Sequence, residues 1–97
     1  MVGIEQLIAG KRAEILHVAR SHGALRVRIF GSAARGEAGP KSDLDVLVDL
    51  EPGRRLLDIV ALKQDLEDLL GRKVDVVTEA AVSPYIREEI VREAVSL

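Results

Sequence analysis

The chain has 97 residues, of which 47% are hydrophobic, 31% charged and only 2% aromatic, and this length predicts a single domain over residues 1–97. It has no cysteine, which excludes a disulfide framework and a cysteine-ligated zinc site and favours a cytoplasmic, reducing compartment. The longest apolar run is four residues, Ile59–Leu62, which is too short to cross a membrane. A net charge of −2 argues against a nucleic-acid partner bound mainly through its phosphates. These exclusions leave two classes of protein, a small enzyme or an interaction module.

The first third of the sequence predicts a helix followed by a strand. Apolar residues recur at helical spacing between Ile4 and Ser21, and Gly23 follows as a helix C-cap. From Leu25 to Phe30 the sequence alternates, which is typical of a strand with one buried face. The predicted buried face holds Leu25, Val27 and Ile29, and the predicted open face holds Arg26, Arg28 and Phe30.

A loop and a second strand come next. The stretch Gly31–Lys41 contains three of the chain's eight glycines together with Pro40, which predicts a loop. Alternation resumes from Asp43 to Leu50, and the turn residues Glu51–Gly53 end the strand. One face of this second strand is predicted to hold Leu44, Val46, Val48 and Leu50, and the other face Asp43, Asp45, Leu47 and Asp49.

The remaining sequence predicts a helix over about 55–70, a short strand over 74–78 and a closing helix that begins at Ser83–Pro84 and continues to Leu97. Strands joined by the loop 31–42 should pair antiparallel, and the strand–helix–strand unit 43–78 should form a parallel, right-handed crossover. The expected fold is therefore an α+β domain. Its order is α-β-β-α-β-α, with a small three-stranded mixed sheet flanked by helices.

Carboxylates open the second strand. Asp43 and Asp45 lie two residues apart, so both side chains point to one face of the sheet. Two carboxylates about 4 Å apart repel by roughly 4 kcal/mol at an effective dielectric of 20, unless a cation lies between them or one is protonated. Oxygen ligands without a nearby histidine or cysteine favour Mg²⁺ or Mn²⁺ over zinc. If the third strand lies beside the second, Asp75 can complete a three-carboxylate site.

The loop before these carboxylates supplies groups that suit a phosphate. Gly31 permits a close backbone approach, Ser32 offers a hydroxyl and an N–H group, Arg35 adds positive charge and Gly36 keeps the turn open. Three carboxylates beside such a loop suit phosphoryl or nucleotidyl transfer assisted by two metal ions, in which one carboxylate helps to deprotonate the attacking hydroxyl.

The pattern Gly31-Ser32-x10-Asp43-x-Asp45 resembles the polymerase-β-type nucleotidyltransferase superfamily. The chain as a whole resembles its minimal nucleotidyltransferases, which include MntA-type antitoxins encoded beside HEPN-domain toxins. That resemblance implies a polymerase-β-like core, ATP as substrate, and transfer of AMP to a tyrosine of the toxin. It implies Mg²⁺ ligands and catalytic residues at Asp43, Asp45 and Asp75, and nucleotide-binding residues at Gly31, Ser32, Arg35, Gly36 and Ser42.

Several alternatives stay open at this point. The carboxylates could be a solvated strand face, and Arg35 a solvated loop charge. Arg26 and Arg28 could attract ATP or an acidic partner, or could simply form a polar face. The chain could also be an antitoxin that occludes its toxin without catalysis. A small-molecule nucleotidyltransferase would need a second domain to shape the acceptor pocket, and the low aromatic content disfavours a polymerase-like activity on nucleic acid.

Overall fold

The computed structural model describes residues 4–39 and 42–97. Pro40 and Lys41, which close the predicted loop, lie outside the described residues. Along the described chain the elements are α1 (Ile4–Gly10), α2 (Arg12–Ser21), β1 (Ala24–Phe30), β2 (Leu44–Leu50), α3 (Leu56–Leu70), β3 (Val74–Val77), a 3₁₀ turn (Glu79–Ala81), α4 (Pro84–Glu93) and β4 (Val95–Ser96).

The strands form one mixed sheet in the order β3-β2-β1-β4. Strands β1 and β2 pair antiparallel and β2 and β3 pair parallel, as the short loop and the helical crossover predict. The predicted α+β class, a mixed sheet flanked by helices, is confirmed. The predicted strand number is wrong, because β4 adds a fourth strand beside β1.

The fourth strand replaces the end of the predicted closing helix. Helix α4 ends at Glu93, and Ala94 already has an extended backbone with φ −63° and ψ 139°. Beyond it, Val95 and Ser96 pair with β1, and the Leu97 N–H donates to the Val27 carbonyl over 3.1 Å. The open edge of β1 offers unpaired backbone groups. Hydrogen bonds to that edge therefore outweigh the helical spacing of the apolar residues.

The predicted first helix is likewise divided in two. Lys11 leaves the helical conformation, with φ −117° and ψ 15°, directly after Gly10. Glycine in a helix interior costs roughly 1 kcal/mol relative to alanine, which favours a break at this place. The Lys11 N–H still bonds to the carbonyls of Leu7 and Ile8, at 3.1 and 3.2 Å, so α1 and α2 remain connected by a tight turn.

The main core lies between one face of the sheet and the helices α2 and α3. Its fully buried members include Ile15, Leu44, Val46, Val48, Leu62, Leu66 and Val74. The crossover helix α3 packs against β3 and α2 against β1, which leaves the opposite face of the sheet for the acidic side chains.

Two strand positions differ from the predicted faces. Leu25 is 64% exposed, because the pairing register shifts between Ala24 and Arg26 and the resulting β-bulge turns Leu25 outward. Leu47, predicted on the open face, is fully buried, since the 3₁₀ turn Glu79–Ala81 contacts β2. The acidic face is thus covered at one end by this turn.

Helix α4 lies on the protein with little burial of its own. None of the residues Pro84–Glu93 is buried, and the side chain of Tyr85 is 96% exposed. Its N-terminus follows the predicted signal, with Ser83 as N-cap accepting from the Tyr85 N–H and Pro84 in the first turn. Within the described residues, every helix is too short or too polar to cross a membrane.

Candidate active site

Two of the predicted carboxylates face each other across neighbouring strands. Asp45 of β2 pairs in register with Asp75 of β3, and paired residues of parallel strands point to the same face of the sheet. Asp43 lies just before β2, two residues from Asp45. The crossover through α3 therefore puts Asp45 and Asp75 side by side, with Asp43 two residues from Asp45 along the chain.

The charges of the other two carboxylates both act on Asp45. Partial burial raises the pKa of the Asp45 carboxyl, and the negative charges of Asp75 and then Asp43 raise it further. Arg35 opposes this effect and Glu93 adds to it. Since the carboxylates disfavour one another's charged state, a cation on this face would relieve an existing repulsion.

The donor set fits a Mg²⁺ ion that shares its coordination with a ligand. In the part of the chain that the structure describes, no three acidic, histidine or cysteine side chains converge into a ready-made metal cage. Mg²⁺ is commonly bound by one or two carboxylates together with water and substrate phosphates, rather than by an all-protein cage. Asp45 and Asp75 in register, with Asp43 beside them, match that arrangement.

Gly31 brings the loop against this carboxylate face. It follows Phe30, which pairs with Asp45 across β1 and β2, and its φ of +72° is left-handed. A Cβ added at Gly31 would overlap the Oδ2 atom of Asp45 and lie 3.2 Å from its Cγ. Glycine is therefore required here both by the backbone conformation and by the space that Asp45 occupies.

The loop after Gly31 is a compact turn. The Arg35 N–H donates to the Gly31 carbonyl over 3.2 Å, and the Glu37 N–H donates to the Ser32 carbonyl over 2.9 Å. Gly36 also has a left-handed backbone, with φ +72°, which lets the turn continue. Ser32 is half-buried at the start of this turn, one residue from the contact between Gly31 and Asp45.

Ser42 closes the other end of the loop. Its Oγ atom accepts from the Gly39 N–H over 2.9 Å, and its carbonyl accepts from Nη1 of Arg72 over 3.2 Å. These contacts hold the residue before Asp43 to the loop and to the end of α3. The nucleotide-binding role of Ser42 stays a prediction, because both contacts are with the protein itself.

Arg35 is paired with two carboxylates of the chain. Its Nε donates to Oε2 of Glu37 over 3.1 Å, and its Nη1 lies 3.0 and 3.1 Å from the two carboxylate oxygens of Glu93. Hydrogen bonds to Glu37 and then Glu93 raise the pKa of the guanidinium. Arg35 thus lies beside the acidic face, and its positive charge is already paired with the carboxylates of Glu37 and Glu93.

Glu93 is the site residue that sequence reasoning missed. Its Oε1 atom accepts from the Gly31 N–H over 2.7 Å, across 62 residues of sequence, and its side chain is 22% exposed. No signal for it was available in the sequence, because the predicted closing helix continues to Leu97 and has Glu93 in its interior. Only the observed end of α4 at Glu93 puts this carboxylate at a helix C-terminus, where it opposes the helix dipole. A carboxylate at this end of a helix indicates a stabilising partner elsewhere in the fold, but it does not identify that partner.

Arg28 is not open to a ligand. Its side chain is 5% exposed, and its Nη2 donates to Asp49 over 3.1 Å and to Glu79 over 3.3 Å. The hypothesis that Arg28 attracts ATP from an open strand face is therefore wrong. Arg26, two residues earlier, is exposed.

The acidic residues and the loop carry the kinds of groups that phosphoryl transfer requires. A face with carboxylates suits a hard cation, and the adjoining loop carries the Ser32 hydroxyl together with the Gly31 N–H and the Arg35 guanidinium, both of which are held by Glu93. Gly31 joins the loop to the acidic residues through its contact with Asp45.

Comparisons with known proteins find matches over most of the chain. The sequence model of the nucleotidyltransferase domain family matches residues 13–97. A protein from Thermococcus cleftensis, named protein adenylyltransferase MntA, is 36% identical over 92 residues, which cover 95% of this chain and 90% of that protein.

Solved structures share the fold. A structure classed as a minimal nucleotidyltransferase superposes with a TM-score of 0.86 at 51% identity, covering 99% of this chain and 97% of that one. A more distant likeness is the complex of a tri-AMPylated HEPN toxin from Shewanella oneidensis with its MNT antitoxin. There the TM-score is 0.69 at 19% identity, covering 91% of this chain and 69% of that one.

Proposed function

This chain belongs to the nucleotidyltransferase domain family as a minimal nucleotidyltransferase, and from that membership we propose that it transfers AMP from ATP, with Mg²⁺, to a tyrosine hydroxyl of a HEPN-domain toxin and so neutralises it. The proposal takes residues 1–97 as one catalytic domain that acts in the cytoplasm, where ATP and a newly made toxin are both present. It involves no nucleic-acid partner. Mn²⁺ is the alternative metal, because it accepts the same oxygen ligands.

The observation that carries the proposal is the register of Asp45 with Asp75, one strand from Gly31. It accounts for both the acidic face and the glycine beside it. The adenylyltransferase name of the relative that is similar over most of the chain supports AMP as the transferred group. The fold likeness to an antitoxin bound to a tri-AMPylated HEPN toxin supports the partner class.

In this mechanism Asp43, Asp45 and Asp75 hold the metal, which when bound supplies positive charge to the reacting phosphate. Gly31 and Ser32 bind the phosphates through their N–H groups and the Ser32 hydroxyl, and Gly36 and Ser42 keep the loop in shape around them. Arg35 adds positive charge at the same place. One of the three carboxylates would accept the proton of the attacking tyrosine hydroxyl, whose oxygen bonds to the α-phosphorus of ATP while the bond to the β-phosphate breaks and pyrophosphate leaves.

The acceptor comes from another protein in this proposal. Among the described residues, the loop and the acidic residues lie at the same end of β1, β2 and β3, and the chain's own tyrosine lies at the far end of α4 from Glu93. We therefore expect little transfer to water or to free tyrosine.

The test mixes the purified protein, α-labelled ATP and Mg²⁺ with a HEPN toxin encoded beside it. We expect label on a toxin tyrosine, found by peptide mass spectrometry, and its loss in the variant carrying Asp43→Ala and Asp45→Ala. Asp68→Ala is the matched control, since Asp68 is an exposed carboxylate on α3 and its removal should leave the label unchanged. Equal labelling by the double variant would refute the proposed site.

A second candidate is an antitoxin that occludes its toxin without catalysis. The observation that favours it is Glu93, which takes the Gly31 N–H and Arg35 for itself. The double variant separates the two functions. If it neutralises the toxin as fully as the unaltered protein, without any label, occlusion is the function.

A further inference from the structure

The Glu93 carboxylate holds two donors of the proposed nucleotide-binding loop. Its Oε1 accepts from the Gly31 N–H over 2.7 Å, and Nη1 of Arg35 lies within 3.1 Å of both of its oxygens. A backbone N–H and a guanidinium converging on one anion is the donor set that proteins present to a phosphate. Here a side chain of the same chain occupies it.

The surroundings of Glu93 otherwise disfavour a negative charge. The residue ends α4, where the helix dipole is negative, and its charge adds to the forces that raise the pKa of Asp45. Gly31 and Arg35 are the groups that offset this repulsion. The carboxylate is therefore held by the same donors that an incoming phosphate needs.

Helix α4 can yield this position at little cost in packing. None of the residues Pro84–Glu93 is buried, so turning the Glu93 side chain away from the loop uncovers little apolar surface, and Val95 and Ser96 keep their pairing with β1. The other contact of Arg35, with Glu37 within the loop, does not depend on α4.

We propose that Glu93 is a specificity-determining residue: it occupies the phosphate position of the loop, and a ligand must offer phosphate groups that displace it from Gly31 and Arg35. This inference rests on the proposed function in taking a nucleotide as the ligand. Its consequence is that Glu93 weakens the binding of every ligand that reaches those donors with an anionic phosphate, and leaves the binding of an uncharged nucleoside unchanged.

The test is isothermal titration calorimetry with pyrophosphate, with a non-hydrolysable ATP analogue and with adenosine. Since hydrogen bonds to charged groups are the stronger ones, we expect Glu93→Ala to tighten pyrophosphate and analogue binding about tenfold. Glu93→Gln should give a smaller gain, because the amide oxygen still accepts from Gly31 but no longer carries the charge that holds Arg35. Adenosine binding should not change.

Glu88→Ala is the matched control. Glu88 is a glutamate of the same helix whose partner is Arg92 on the surface, so its loss changes the net charge equally without freeing the loop. A spectroscopic readout accompanies the titration. In ¹⁵N-labelled protein, pyrophosphate should move the Gly31 amide resonance, and Glu93→Ala alone should move it before any ligand is added.

If folded Glu93→Ala and Glu93→Gln bind pyrophosphate as weakly as the unaltered protein, or more weakly, Glu93 only braces the loop and the inference is overturned. It is overturned equally if Glu88→Ala tightens binding to the same extent. Tightened binding in a protein that labels no toxin would leave the role of Glu93 standing and refute the proposed transfer. Toxin labelling together with unchanged pyrophosphate binding in the Glu93 variants would support the proposed transfer and refute the role of Glu93.

Discussion

Asp45 and Asp75 lie at paired positions on the parallel strands β2 and β3, one strand away from the backbone of Gly31. Like charges directly opposite each other in a sheet destabilise it, so this register has a cost for the metal-free protein. Gly31 increases this destabilisation, because its backbone, rather than a solvated side chain, lies against the Asp45 carboxylate. This cost supports the proposed role of the pair in binding a cation.

The first prediction concerns the pH dependence of stability. Burial and the charges of Asp75 and Asp43 raise the pKa of Asp45 in the folded state above its ordinary value of 3.8. The folded protein therefore binds the proton more tightly than the unfolded chain, and the contribution of Asp45 to the free energy of unfolding falls as the pH rises from 3.8 through the raised value. Asp45→Asn should remove this fall.

Urea unfolding of metal-free protein from about pH 3.5 to about pH 7 measures the effect. The lowered pKa values of Asp58 and Glu67 act in the opposite direction, because the stability they contribute is lost as the pH falls. Those groups are present in both proteins, so the difference between the two profiles isolates Asp45. A difference that does not change with pH would contradict the expectation.

The second prediction compares two glycines with the same backbone. Gly31 and Gly71 both have left-handed φ values, +72° and +65°, so alanine should cost roughly 1–2 kcal/mol of stability at either position. At Gly31 the added Cβ also overlaps the Asp45 carboxylate, whereas at Gly71 no atom of the described residues lies within 4 Å. Gly31→Ala should weaken Mg²⁺–nucleotide binding at least about tenfold, and Gly71→Ala should not.

Calorimetry at a temperature where both variants are folded makes that comparison. Equal losses of nucleotide affinity would mean that backbone strain, rather than the contact with Asp45, links the loop to the acidic face.

The third prediction concerns the buried cation Arg28. Its partners Asp49 and Glu79 are 37% and 44% exposed, so water can hydrate them once the guanidinium is gone. Arg28→Ala should therefore cost about 2 kcal/mol, less than the roughly 3–5 kcal/mol typical of breaking a wholly buried pair. Arg26→Ala, at an exposed position of the same strand, should stay within about 0.5 kcal/mol. Denaturant unfolding of both variants is the measurement, and similar losses would refute the burial of Arg28.

The fourth prediction uses two leucines whose burial contradicts the alternation of the sequence. Leu47 is fully buried and Leu25 is 64% exposed. Leu47→Ala should cost about 2–5 kcal/mol, as expected for a core leucine, while Leu25→Ala should cost no more than about 0.5 kcal/mol. Thermal or urea unfolding measures both losses. A larger loss for Leu25→Ala than for Leu47→Ala would mean that Leu25 is buried and Leu47 exposed, as the alternation of the sequence predicts.

Local pattern and chain connectivity were enough to predict the acidic face, apart from one condition. Alternation identifies the strands on either side of Gly31, and a helical crossover makes β3 parallel to β2. That the two strands are neighbours is a condition that the sequence left open and that the structure meets. The meeting of Asp75 with Asp45 follows from these facts together. The catalytic and ligand roles of these residues remain predictions.

Other features could not be predicted, because each depends on a contact made far along the chain. The burial of Arg28 needs Glu79, the exposure of Leu25 needs a shift in pairing with β2, and β4 needs the free edge of β1. Glu93 is the clearest case, since its partners lie in the loop after β1. The helical spacing of apolar residues predicts which face of α4 packs on the protein, but it does not predict the contacts that Glu93 makes at the end of the helix.

The exposure of Tyr85 decides how these experiments can be followed. It is the chain's only tyrosine and there is no tryptophan, so intrinsic fluorescence comes from one ring that is already 96% exposed in the folded protein. Unfolding should barely alter that emission, and circular dichroism is the better signal for stability. The same isolation helps the labelling assay, because an AMP-tyrosine peptide from this chain, as opposed to the toxin, could come from one position alone.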